Sequence, residues 1–247
     1  MIHLVIPAYN EADNAALMAA SLKGAAPSLG EAVGVHWVDD GSRDGSAGLF
    51  VRAAEGLDVR VITHEVNQGV AQAFRSGFDA ALKIAKPEDM IVTLEADNTG
   101  DLGVLTEMIR NFRQGADIVL ASCYAPGGEV VGTNLFRIIL SRSANLLIQS
   151  LFPMKGVHTY SSFYRIYRAE ALADVRNGYG DYFEERGFVC VVELLIRFFL
   201  MHKTIREVPM TLRTARRVGQ SKMKIINTIR GYLKVISKYV FRRFRKI

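Results

Sequence analysis

Along the first half of the chain, short apolar and β-branched runs alternate with longer stretches whose apolar positions recur every three to four residues. Runs of the first kind read as buried strands, and stretches of the second kind as amphipathic helices. The alternation predicts strands over 1–7, 32–38, 59–64, 89–94 and 117–122, with helices over 14–25, 46–55, 71–84 and 102–114. Strands separated by single helices imply an α/β fold, a largely parallel sheet with helices on both faces. In such sheets ligands bind beyond the carboxyl ends of the strands. Four polar clusters stand at those ends: AYNE (8–11), DDGS (39–42), NQG (67–69) and EADN (95–98). One acidic turn is ordinarily a solvated loop, whereas four polar turns on one sheet edge mark a site.

Composition narrows the class. The 247 residues suffice for one large domain with a substantial core, and a hydrophobic content of 49% argues against disorder. Cys123 and Cys190 lie far apart, outside any CxxC or Cys/His pattern, as expected of reduced thiols in a cytoplasmic protein. MIHLVIPAYNE lacks the basic flank, long apolar stretch and cleavage site of a secretory signal. The apolar segments 134–152 and 225–241 are broken by Arg137, Arg142, Arg230, Lys234 and Lys238, so no spanning helix is expected.

Charge is unevenly shared. Residues 209–247 carry 12 Lys or Arg and no acid, which leaves the first 208 residues at −6 within a chain of net charge +6. In 225–247 the apolar residues Ile225, Ile226, Ile229, Leu233, Ile236, Val240 and Phe244 recur every three to four positions among the bases. That pattern is expected of an interfacial helix on an anionic membrane surface, or of a helix packed on the core or on another subunit. The segment 134–152 is a second, less charged candidate. No nucleic-acid-binding module accompanies the charge, so nucleic acid is not an expected partner.

No GxGxxG follows the first strand and no GxxxxGK[ST] occurs, so phosphate must be handled by other means. Asp39, Asp40, Glu95 and Asp97 bring carboxylates to neighbouring strand ends. Like charges held together call for a cation, and hard oxygen donors suit Mg²⁺ or Mn²⁺ bridging to substrate phosphates. His158 and His202 fit no metal-ligand pattern and are expected to be structural or exposed. Glu184, Glu185 and Arg186 read as a solvated loop or as the border of an acceptor site. Glu193 is the lone acid of an apolar helix, where pairing with a base is expected.

Taken in order, VIPAYNE, VDDGSRDGS, NQGVAQAFRSG and LEADN resemble family-2 glycosyltransferases of the GT-A, Rossmann-like fold. The likeness continues through SCYAPGGEVVG, FYRIYRAEAL, GFVCVVELLIR, EVP and RRVGQSK, where it is similar to dolichyl-phosphate mannose synthases and other polyprenyl-phosphate sugar synthases. It covers about residues 1–225. The resemblance implies a glycosyltransferase domain over 1–212, followed over 213–247 by a phosphate-binding segment and a basic amphipathic tail. It implies that Pro7, Tyr9, Glu11 and Asp39 surround a nucleoside, with Asp40 near the base or the ribose–phosphate junction. Gly69 and Ala73 would line the loop beside the nucleotide. Asp97 would be the principal metal ligand, with Glu95 in the first carboxylate position of the family's DxD element. Arg216, Ser221 and Lys222 would engage phosphate, and Asp97, Arg216 and Lys222 would carry catalysis. This sequence departs from the pattern at Glu95, at Thr99 and Gly100 where relatives often carry Gln and His, and at Thr159, which replaces an aspartate in TYSSFYR. It has no QxxRW element.

The activity so implied is inverting transfer of a hexosyl group from GDP-mannose or a UDP-sugar to a polyprenyl phosphate at the cytoplasmic face of a membrane. A hydroxyl acceptor on a glycan or lipid, and a non-catalytic nucleotide-sugar-binding scaffold, are the alternatives. The oligomeric state is open.

Overall fold

The computed structural model describes residues 1–216 and 225–244. Its elements run β1 (Ile2–Ala8), α1 (Ala12–Ala25), β2 (Val33–Asp39), α2 (Ser46–Ala53), β3 (Asp58–Thr63), α3 (Val70–Leu82), β4 (Met90–Thr93), α4 (Leu105–Arg113) and β5 (Ile118–Ser122). There follow β6 (Glu129–Val131), α5 (Leu135–Leu151), β7 (Arg165–Arg168), α6 (Ala169–Tyr179), α7 (Cys190–Leu200), β8 (Ile205–Pro209), β9 (Thr211–Arg213) and α8 (Ile225–Phe244). The nine elements expected in the first half are all present. The largest boundary difference is in the helix expected over 102–114, which opens as a 3₁₀ turn at Leu102–Val104.

Seven strands form one sheet in the order β3-β2-β1-β4-β7-β5-β8. All pairings are parallel except those of β7, which runs antiparallel to both β4 and β5. A small parallel pair, β6 with β9, lies apart. The α/β reading therefore holds, with one reversed strand inserted between the fourth and fifth. Its four residues, Arg-Ile-Tyr-Arg, give too short an apolar run to stand out.

Because side chains alternate across a strand, the sheet feeds two cores. Leu4 and Ile6 of β1 join the layer of α1, α2 and α4, while Val5 joins the layer of α3, α6, α7 and α8. In the second layer α3 lies very close to the sheet at Gly77. A Cβ there would stand 2.3 Å from Val5 Cγ1 and 3.1 Å from Val38 Cγ2, so the packing needs glycine.

The C-terminal helix packs in part on the core, one of the arrangements expected of it. Val235 and Tyr239 of α8 are fully buried, with Tyr232, Ile236 and Val240 packed beside them. Of the apolar stripe read from the sequence, Ile236 and Val240 pack on the core, whereas Ile229 and Leu233 are exposed, joined by Phe241; Ile225, Ile226 and Phe244 lie outside the described side chains. The periodicity was right, but the face anchored by Val235 and Tyr239 divides the stripe. Outward apolar surface continues on the adjoining α5 as Leu135, Phe136, Ile139 and Leu146, the first two about 70% exposed. Among the described residues no helix is long and apolar enough to cross a membrane.

Candidate active site

From β1 the chain passes to β2 and β3 on one side, then crosses by α3 to β4 on the other side. The carboxyl ends of β1 and β4 are thus a topological switch point, where loops diverge and leave a crevice. Tyr9 and Glu95 follow those two strand ends, and Asp39 closes β2 beside them.

The first loop is tied down by short polar links. Asn10 takes a left-handed conformation, φ 49°, and its backbone N–H donates to Ser42 Oγ at 2.9 Å. Arg43 N–H donates to Asn10 Oδ1, and Ala12 N–H to Asp44 Oδ2. Glu11 opens α1: its carbonyl accepts from Asn14 and Ala15, and Oε2 accepts from Asn14 Nδ2 at 2.7 Å. Pro7 is half-buried in β1 ahead of the exposed Tyr9. Asp39 is buried and its Oδ1 accepts from Ser42 N–H at 2.9 Å.

Asp40 has a different place. Oδ1 accepts from Gln68 N–H at 2.9 Å and lies 2.7 Å from His64 Nδ1, while Oδ2 accepts from Gly69 N–H at 2.8 Å. His64 Nε2 reaches Ser76 Oγ at 2.9 Å. Both oxygens of Asp40 thus fasten the 67–69 loop onto β2 and α3, and the carboxylate lies beneath the loop. Gly69 precedes α3 at φ 89°, a conformation that side chains rarely adopt. Ala73 corrects an expectation: it is fully buried in the core under α3 and has no surface to offer a nucleotide. One helical turn past Gly69 points it at the sheet.

After β4, Asp97 is buried, and its Oδ1 accepts from Thr99 N–H at 3.1 Å and Thr99 Oγ1 at 2.7 Å. Asn98 makes the turn in a left-handed conformation, φ 59°. Thr99 therefore orients Asp97. Glu95 is half-buried at the wall of a cavity of about 300 Å³. Two carboxylates on one turn supply hard donors of the kind Mg²⁺ or Mn²⁺ takes when phosphates and waters complete its shell. Among the described residues no group of three or more His, Cys, Asp or Glu forms a closed protein cage. The donor set fits a metal shared with a substrate. Arg216 ends the turn Thr214–Arg216, and Ser221 and Lys222 lie outside the described residues.

The cavity runs from the Glu95–Gly100 turn toward α5 and α8 and is mainly apolar, lined by Ile138, Leu140, Phe163, Met210 and Tyr232 among others. Among its described lining residues Glu95 is the one acid and Arg137 the one base. Arg137 lies in the first turn of α5, whose N-cap Asn134 accepts from Arg137 N–H at 2.9 Å. Thr159 reaches the cavity with its hydroxyl 2.6 Å from Ser122 Oγ. Behind it, Glu207 accepts from the backbone N–H groups of His158 and Thr159 and meets His158 Nδ1 at 2.7 Å. Burial pushes the Cys123 thiol, also on the wall, up to about 11, so it is unreactive at neutral pH.

Residues 3–176 match the family model described as Glycosyl transferase family 2. The chain belongs to that family. It is accordingly a glycosyltransferase, and its relatives sharpen the likeness. A polyprenol monophosphomannose synthase of Mycolicibacterium smegmatis is 30% identical over 94% of this chain and 84% of its own length. An undecaprenyl-phosphate mannosyltransferase of Micrococcus luteus is 30% identical over 89% of this chain and 86% of its own. Among solved structures, the glucosyl-3-phosphoglycerate synthase of Mycobacterium tuberculosis, in complex with Mn²⁺ and uridine diphosphate, matches with a TM-score of 0.68. It covers 98% of this chain and 79% of that one at 18% identity, a likeness of fold. The glycosyltransferase thus has the GT-A architecture its motifs implied.

Sequence reasoning overlooked several residues around this site. Arg137 counted only as an interruption of an apolar run. Arg165 is fully buried and donates to the carbonyls of Tyr160, Ser162 and Val191, fixing the segment that holds Thr159. Tyr164 lines the cavity and carries a buried hydroxyl with no hydrogen-bond partner among the described residues. Only the FYR motif around the last two hinted at them.

Proposed function

We propose that this glycosyltransferase moves a hexosyl group from a nucleotide sugar to a polyprenyl phosphate at a membrane surface. The observation that carries the reading is the apolar cavity of about 300 Å³ that adjoins Glu95 and holds one basic residue, Arg137, on its wall. An isoprenoid chain suits apolar walls, and a phosphate head suits a guanidinium and the adjacent helix N-terminus. The names of the relatives from Mycolicibacterium and Micrococcus, a polyprenol monophosphomannose synthase and an undecaprenyl-phosphate mannosyltransferase, support the same acceptor class.

The donor's nucleoside would lie over Pro7, Tyr9, Glu11 and Asp39, with the 67–69 loop held beside it by Asp40. A Mg²⁺ or Mn²⁺ ion held by Glu95 and Asp97 would supply charge neutralisation for the departing nucleoside diphosphate. A phosphate oxygen of the acceptor forms the new bond to the anomeric carbon while the bond to the diphosphate oxygen breaks on the opposite face. An acceptor phosphate is anionic near neutral pH, so no side chain has to remove a proton. That agrees with Thr159, paired to Ser122, where a carboxylate base would otherwise stand. Arg137, with Arg216 and Lys222 from the basic segment, would balance two anions brought together.

The surfaces of α5 and α8 support membrane association. Leu135, Phe136, Ile139, Leu233 and Phe241 give an outward apolar surface among basic residues, next to the cavity. This favours peripheral attachment to an anionic leaflet. The deciding experiment offers GDP-mannose, UDP-glucose and UDP-GlcNAc with Mg²⁺ or Mn²⁺, with and without a short polyprenyl phosphate. Sugar-lipid formation with one donor is expected. Donor consumption only with a hydroxyl acceptor, or nucleotide binding with no transfer, would overturn the reading.

A further inference from the structure

Glu193 of α7 is fully buried, yet it is not among the residues that line the cavity. Its Oε2 accepts the backbone N–H groups of Glu184 and Glu185, each at 2.8 Å. Its Oε1 accepts from Tyr239 Oη at 2.8 Å and from Arg197 Nη2 and Lys238 Nζ at 3.0 Å. Burial alone would push this carboxyl up, but the backbone donors, the tyrosine hydroxyl and the two bases outweigh it and hold it below the ordinary carboxylate range. A buried charge deprived of such partners is costly, so the carboxylate and its donors stay together. The contact is reinforced from outside by Lys234 with Glu185 at 2.7 Å and Lys238 with Glu184 at 2.6 Å.

Both groups held by Glu193 lead to the cavity. The 184–185 segment continues to Phe188, and α8 contributes Thr228, Ile229 and Tyr232 to the same wall. We propose that Glu193 is a positioning residue for the acceptor, one carboxylate that locks α8 and the 184–188 segment together as two walls of the lipid cavity. This rests on the acceptor reading given above. The residues just before this segment have a second anchor, since Arg75 of α3 donates from Nε to Asp181 at 2.7 Å and from Nη2 to the Phe183 carbonyl, and the Arg186 carbonyl lies beside Gly69 of the 67–69 loop. With Arg75 still holding 181–183 to α3, loss of the Glu193 link should be felt chiefly at the α8 wall, by the lipid more than by the nucleotide sugar.

The test is Glu193→Gln, which keeps the shape but sets an amide N–H against one group of donors, beside Lys238→Met, which removes one α8 donor to Glu193 together with its pairing to Glu184. In Glu193→Gln the KM for polyprenyl phosphate should rise about tenfold or more while the KM for the nucleotide sugar stays within about twofold. Backbone hydrogen exchange over 228–240 should quicken by about tenfold in the same variant. Lys238→Met should move both readings in the same direction by a few fold, and it carries the test if Glu193→Gln does not fold. Unchanged lipid KM in the folded variants, or equal rises in both KM values, would overturn the proposal. If the wild type uses no lipid phosphate, the acceptor reading fails, and the lipid role proposed for Glu193 fails with it. The exchange experiment then decides separately whether Glu193 docks α8, with unchanged exchange refuting even that.

Discussion

Asp97 and Thr99 show how a two-residue interval sets the chemistry. Both Thr99 bonds fall on Oδ1, which orients the carboxylate beside the switch-point crevice. Asp97→Ala should lower kcat by about a hundredfold or more through loss of metal binding, with little change in Tm. Thr99→Val keeps the volume but frees the carboxylate, and a fall of about tenfold is expected, since a group that orients a ligand typically matters to that degree. Metal affinity measured by titration should fall in step; activity lost with Mn²⁺ affinity intact would remove Asp97 from the metal. At this scale the sequence was half legible. An apolar strand followed by EAD announces a site because acids there face the sheet edge. Nothing in the adjacent letters Asp39 and Asp40 tells that the second is consumed by Gln68, Gly69 and His64, because that depends on how a loop 28 residues later folds back.

Among the elements, the approach of α3 to β1 and β2 depends on one missing methyl. Gly77→Ala would drive a Cβ to 2.3 Å from Val5, forcing the helix outward. Overpacking of this kind costs about 1–3 kcal/mol, so the Tm should drop by several degrees, and an unchanged Tm would show that the layer yields freely. The strands and helices of the first half were readable because each carries its own period. β7 was not, since its reversal is fixed by tertiary partners such as Arg168 N–H to Asp117 O and Ala169 N–H to Asp89 O. The α8 stripe was read with the right period, but which side it buries is set by Tyr239 meeting Glu193 and Arg197 on another helix.

For the whole molecule, the edge of the sheet opposite the site holds a buried His pair. His3 Nδ1 and His36 Nε2 are 3.4 Å apart, and Asp89 lies between His3 and the amino terminus. Burial, with His3 and Arg60 nearby, lowers His36 to about 4. Burial also lowers His3, although Asp89 pulls it the other way. The unfolded state, with histidines near 6.5, binds more protons between these values, so stability is full above about 6.5 and is lost as pH falls toward 4. For His36 the loss is on the order of 3 kcal/mol. Tm measured against pH should fall across that window in the wild type and be flatter in His36→Asn; equal slopes would mean another group is responsible.

The division of the sheet into two layers also bears on synthesis. The layer of α1, α2 and α4 draws nearly all its apolar residues from the first 121, adding Tyr164, Ile166, Val208 and Met210 later. On the inner face of α3, Phe74 and Phe78 pack against Phe163, Tyr167 and Tyr182, which emerge from the ribosome about 90–105 residues afterwards. At about 5–20 residues per second, that face stays open for roughly 5–20 s. A nascent chain paused in this interval has one finished flank and one adhesive flank, so premature termination before α7 should yield a product that chaperones retain.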